Sequence, residues 1–121
     1  MRLKDKNIIV TGSCTGIGKA IAKLCVAEGT KVVVNGLEKE LAEETVKELG
    51  PENAVSLVRD LTEEGCPEEL VALAKDTFGG LNGLVNNAAF VTWSDIGSTD
   101  RDYFKRVLEV NTVAPLALIQ A

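Results

Sequence analysis

The residue types best suited to chemistry lie together near the start of the chain, in Thr11-Gly12-Ser13-Cys14-Thr15-Gly16-Ile17-Gly18-Lys19-Ala20. Three glycines, one lysine and four hydroxyl or thiol side chains fall in ten residues. The apolar run Ile8-Ile9-Val10 precedes them and a helical pattern follows. A turn of this kind brings backbone N–H groups and the positive end of a helix to an anion, above all a phosphate. Two phosphate loops compete for it. A nucleoside-triphosphate loop needs GxxxxGK and then Ser or Thr to hold magnesium. Gly12 and Gly18 enclose five residues instead of four, and Ala20 follows Lys19, so spacing and metal ligand are both wrong. The pattern TGxxxGxG fits a dinucleotide turn instead. There Gly12 permits a sharp bend, Gly16 admits a pyrophosphate and Gly18 allows close helix–strand packing.

The elements that must position this turn follow from periodicity. Val32 to Val34 and Val55 to Val58 read as further strands, and Gly83-Leu84-Val85 enters a fourth. Helical patterns run from Gly16 to Gly29, through Leu41, Thr45 and Leu49 to Gly50-Pro51, and from Pro67 through Leu70, Val71, Ala74 and Phe78 to Gly79-Gly80. Asp100 suits the cap of a last helix reaching Ala121. The order βαβαβαβα predicts an α/β fold, a parallel sheet with right-handed connections. With the dinucleotide turn it reads as a Rossmann-type doubly wound sheet of about four βα units, whose strand order is 3-2-1-4. No linker divides residues 1–121, so one domain is expected.

In the last helix Phe104, Val107, Leu108, Pro115 and Leu118 form one apolar stripe, and Asn111 falls inside it. An amide there needs partners, so it is either a satisfied core residue or part of a site. Pro115 has no N–H to give the Asn111 carbonyl, which leaves that carbonyl for water or another ligand.

TGSCTGIG at 11–18, Asp60 after the third strand, NNAA at 86–89 after the fourth, and Asn111 together resemble the short-chain dehydrogenase/reductase family, along the whole chain. The resemblance implies an NAD(P)-dependent oxidoreductase that moves a hydride between nicotinamide and a carbonyl or alcohol carbon. Thr11, Gly12, Ser13, Thr15, Gly16, Ile17 and Gly18 would bind the pyrophosphate and adenosine ribose, Ile17 on the nicotinamide side. Asp60 would accept from the adenine amino group beside the Leu61 backbone; an Asp after a strand also serves as a turn former. Asn87, Ala88 and Ala89 would lie along the cofactor ribose, and Asn111 would hold a water of a proton relay. Ala89 replaces the family's glycine, which matters if that position needs a positive φ.

Cofactor choice is read at the end of the second strand, VVVNGLEKE, where an acid is expected for the ribose 2′-hydroxyl. By the resemblance, NAD users carry Asp where Gly36 stands, and many NADP users carry Arg where Thr15 or Leu37 stands. Neither is present. Glu38 suits a 2′-hydroxyl and Lys39 a 2′-phosphate; the expectation is NAD(P), with a slight lean to NADP. Cys14, inside the turn, reads as a small buried hydrophobe.

The totals narrow the partners. Thirteen Lys and Arg against 18 Asp and Glu give a net charge of −5, which lacks the basic footprint of nucleic-acid or anionic-membrane binders. No signal peptide or spanning run is visible, and three unpaired-looking cysteines with no histidine exclude a zinc site and any His-based nucleophilic triad. A cytoplasmic setting is the expectation. The family's reaction also requires Ser and YxxxK. Tyr103, the only tyrosine, is followed four residues later by Val107. The 121 residues therefore read as the cofactor-binding half of a longer enzyme, inactive alone and prone to self-association through the last helix. The alternative is a non-catalytic dinucleotide-binding or sensing module.

Overall fold

The computed structural model describes all 121 residues. Strand β1 (Asn7–Val10), helix α1 (Gly16–Ala27), β2 (Lys31–Gly36), α2 (Lys39–Leu49), β3 (Ala54–Val58), α3 (Cys66–Phe78) and β4 (Gly83–Val85) alternate without a break. A 3₁₀ turn (Ile96–Ser98) leads to α4 (Arg101–Leu108) and α5 (Ala114–Gln120), which are joined through a π-turn at Glu109–Val113. The four strands form one parallel sheet in the order β3-β2-β1-β4.

Alternation of side chains along β1 and β2 divides the core in two. Ile9 and Val33 point to the face covered by α3 and α5, where they join Leu70, Val71, Ala74, Ala114 and Leu118. Val10, Val32 and Val34 point to the opposite face, against Ala22 and Cys25 of α1 and Ala42 and Leu49 of α2. Val32, Val33 and Val34 are all fully buried. A β-branched run that is apolar on consecutive residues satisfies both layers at once, as a sheet covered on both faces demands. Truncating a fully buried member such as Leu70 to Ala removes contacts on the order of 2–5 kcal/mol.

The chain winds outward from β1 through β2 to β3, then α3 carries it back over the sheet to β4 on the other side of β1. The winding reverses between β1 and β4. At such a reversal the connections leave in opposite directions from the strands' C-terminal ends, and a crevice opens there.

The last helix differs from the straight or merely kinked helix expected from periodicity. Pro115 follows the π-turn, in which the Ala114 N–H donates to the Glu109 carbonyl, five residues back. The stripe is also only partly buried. Leu118 is covered at 3% exposure, whereas Phe104 and Leu108 are 54% and 43% exposed. Asn111 is half-buried, not a core residue.

Candidate functional site: the cleft over the glycine turn

A cleft of about 500 Å³ opens at the C-terminal ends of the strands, above the β1–α1 turn. Gly12, Thr15, Gly16 and Ile17 form its floor, and Gly36, Leu37 and Glu38 its wall at the end of β2. Asp60 and Leu61 follow β3, and Asn87, Ala88 and Ala89 follow β4. Eleven of the fifteen residues singled out from the sequence thus line one cavity, although they come from four separate segments. This convergence is what the strand order imposes.

The floor is the uncapped start of α1. Thr15 is the N-cap of α1 but its side chain makes no capping hydrogen bond, and no acid lies in the helix's first turn. The early N–H groups of a helix have no intrahelical partner, and the dipole leaves partial positive charge there. Gly16 has φ +54°, and a Cβ at that position would enter the open cleft without meeting an atom. Gly18 answers a different need, since a Cβ there would overlap the Gly12 carbonyl oxygen and Asn87 Nδ2. The helix can therefore press against the turn only with glycine at 18. Lys19 is directed away, its Nζ 2.8 Å from Glu48 Oε1 on α2. It holds two helices together and is no phosphate lysine, which removes the triphosphate-loop reading on geometry as well as spacing.

Four of the fifteen are not among the residues that line the cleft. Thr11, Ser13 and Gly18 shape it from beneath, Gly18 through the close packing expected of it. Thr11 is 1% exposed and its Oγ1 accepts from the Asn87 and Ala88 N–H groups, both at 3.0 Å. Ser13 is fully buried, donates from Oγ to the Val10 carbonyl at 2.7 Å and accepts from the Asn35 N–H at 3.1 Å. A hydroxyl spent in this way has little left for a ligand. Asn111 is the fourth. Its amide pairs with the backbone of one residue: Oδ1 accepts from the Phe90 N–H at 2.8 Å and Nδ2 donates to the Phe90 carbonyl at 2.9 Å. The side chain thereby fastens the loop after β4 to the π-turn, while Pro115 still offers no N–H to the Asn111 carbonyl.

Asp60 lies in the wall, but its carboxylate is engaged. Oδ1 accepts from the Thr62 N–H at 2.9 Å and the Thr62 hydroxyl at 2.7 Å, and Oδ2 pairs with Arg106 Nη2 of α4 at 2.5 Å. Arg106 Nη1 closes the ring by donating to Thr62 Oγ1 at 2.6 Å. Burial pushes the Asp60 carboxyl up, yet the Thr62 hydrogen bonds and the Arg106 guanidinium together outweigh it and hold the carboxyl below its ordinary value. Ala89 has no positive φ, so its replacement of glycine strains nothing; Asp5 alone among non-glycine residues has φ above zero.

Two further residues belong to the site and were not legible beforehand. Asn35, 2% exposed at the end of β2, accepts from the Gly12 N–H through Oδ1 at 3.3 Å. Its Nδ2 donates to the Leu57 and Arg59 carbonyls, each at 3.2 Å, so one amide ties the glycine turn to β3. A polar residue closing an apolar strand run was the only available signal. Arg106 is the other, marked by nothing more than its place on the polar side of a helix.

Residues 6–121 match the model of the short chain dehydrogenase family. Sorbitol dehydrogenase of Cereibacter sphaeroides is 35% identical over 121 residues, covering all of this chain and 47% of that protein. The crystal structure of a 3-ketoacyl-(acyl-carrier-protein) reductase from Brucella melitensis complexed with NADH superposes with a TM-score of 0.92 at 28% identity, over 98% of this chain and 49% of the other. That of a blue fluorescent protein from a metagenomic library in complex with NADPH gives 0.93 at 28%, over 100% and 51%. The chain spans about half the length of the relatives it matches. With its glycine turn, strand order and crevice all in the family's register, the chain belongs to the short-chain dehydrogenases.

Proposed function

We propose that this chain forms the NAD(P)-binding part of an oxidoreductase acting on a small carbonyl or alcohol substrate. The observation that carries the reading is the floor of the cleft, where an uncapped helix N-terminus meets a glycine whose missing side chain leaves the approach open. The pyrophosphate would rest on the N–H groups of residues 16–18, the adenosine would lie past Gly36 toward Asp60 and Leu61, and the nicotinamide ribose would run along Asn87 to Ala89. A dinucleotide held there would supply hydride-transfer chemistry at its nicotinamide. The Asn111 side chain positions Phe90 beside that end, and its carbonyl, without a Pro115 donor, orders a relay water.

The group that exchanges a proton with the substrate oxygen is not among these residues in our reading. Tyr103 has its hydroxyl buried, without a hydrogen-bond partner, and its ring against Phe90 at 5.5 Å between centroids. We therefore assign proton transfer to Ser, Tyr and Lys outside residues 1–121 and expect these residues alone to be inactive. The second reading is a dinucleotide-binding or sensing module without turnover. We further propose self-association through the exposed Phe104 and Leu108 of α4, and a cytoplasmic setting; no helix is long and apolar enough to cross a membrane. Between the two cofactors we keep a slight lean to NADP, because no acid stands at position 36.

The test is a fluorescence titration of NADH and NADPH against the intact protein and its Gly16→Val variant. Binding by the parent and loss by the variant, which still folds cooperatively after the few degrees lost to strain at φ +54°, is the expected result. Equal binding by both, or by neither, overturns the reading.

A further inference from the structure

We propose that Cys14 holds position 36 as a glycine, by packing where a side chain there would lie, and so keeps a cofactor-selecting acid off the end of β2. The inference rests on the dinucleotide reading above and adds to it a coupling between two residues twenty-two positions apart. β2 ends at Gly36, and a Cβ built there would overlap Cys14 Sγ and lie 3.1 Å from Cys14 Cβ. Cys14 has little room to withdraw. It is 7% exposed and packs in the cluster with Val34, Ala22 and Ala42, so its thiol would have to leave a filled layer. Thiol and missing side chain are thus two halves of one fit.

The consequence is chemical. An acid at the end of the second strand accepts from a ribose 2′-hydroxyl and repels a 2′-phosphate. While Cys14 is in place, that acid fits only by pushing the thiol aside. The nearest carboxylate on this wall is Glu38, two residues on and outside the strand. Lys39 faces Glu43 at 3.8 Å, and Arg59 is held by Glu63 at 3.0 Å and by Glu69. The wall offers no strand-end acid to select NAD, and the exposed Lys39, only loosely paired with Glu43, is not among the residues that line it. Discrimination is therefore weak, and Cys14 packed against Gly36 opposes the strand-end acid that would sharpen it.

Four intact proteins test this: the parent, Cys14→Ala, Gly36→Asp and the double variant, each by thermal unfolding and by titration with NADH and NADPH. Gly36→Asp alone should unfold about 5 °C lower and bind both cofactors more weakly, as overpacking a filled site predicts. The double variant should regain most of that loss and bind NADH at least about tenfold more tightly than NADPH. The parent should hold the two within about tenfold of one another. Additive effects in the unfolding cycle, or an NADH preference from Gly36→Asp alone, overturn the proposal. A parent that binds neither cofactor overturns the dinucleotide reading and the selectivity claim with it. The unfolding cycle would then still report separately on the contact between residues 14 and 36.

Discussion

Replacing Asn35 with Ala removes one amide and strands three backbone groups: the Gly12 N–H and the carbonyls of Leu57 and Arg59. A buried polar group left without a partner costs about 1–3 kcal/mol. The Gly12 contact is the longest at 3.3 Å and borders the cleft, so water replaces much of it. The two carbonyls keep a second lone pair for other donors, which places each near the lower end of that range. The sum is about 2 kcal/mol, or a fall of about 8 °C in unfolding temperature for a domain of this size. Asn35→Asp should do at least as much damage, because it retains the acceptor but sets a carboxylate against two carbonyls. Urea unfolding gives the free energy, and NADH titration reports whether the glycine turn still binds. The loss in affinity should exceed that of a control such as Leu70→Ala destabilised to the same degree. An Asn35→Ala protein within 1 kcal/mol of the parent, with unchanged cofactor affinity, would refute the idea that this amide anchors the turn.

Three other outcomes follow from the same geometry. Gly18→Ala should cost about 1–3 kcal/mol, since its methyl overlaps both Gly12 and Asn87, whereas Gly16→Ala meets only the strain of φ +54° and should cost less; equal unfolding free energies would contradict this. Arg106→Gln should lower stability at neutral pH through Asp60. That carboxyl is depressed in the folded chain, so its contribution is present above its unfolded value near 3.9 and is lost as pH falls through the folded value. The gap in unfolding temperature between parent and variant should therefore close in acid, and a gap that persists at the lowest pH would contradict the linkage. Asn111→Ala should loosen the Phe90 loop and, in the active enzyme, lower turnover more than cofactor affinity, as steady-state and titration measurements would separate; equal losses in both would favour a purely structural amide.

The fold was legible because its signals are local. Ile8 to Val10 and Val32 to Val34 are apolar on consecutive residues, and the intervening helices are too long for hairpins, which leaves a parallel sheet; its 3-2-1-4 order followed from the dinucleotide turn. The cavity was legible for a related reason, since the ends of parallel strands gather whatever follows them. What escaped was set by contacts across the sequence. Thr11 and Ser13 sit in the motif, yet their hydroxyls are spent on Asn87, Ala88, Val10 and Asn35, partners that spacing does not reveal. Arg106 reaches Asp60 across forty-six positions and turns a free carboxylate into a tether. The π-turn escaped because inserting one residue into a helical turn leaves the flanking periodicity almost intact. The Ala89 concern disappeared once the backbone was found to avoid positive φ there.

The central claim is that the crevice over the glycine turn holds a dinucleotide, and a backbone-amide NMR titration with NADH and NADPH tests it most directly. Saturable shifts should appear at Gly16, Ile17 and Gly18 and extend to Gly36, Leu61 and Ala88, four segments joined only by the cleft. Amides at these positions that stay unmoved at millimolar cofactor, or shifts confined to the opposite ends of the strands, would contradict it.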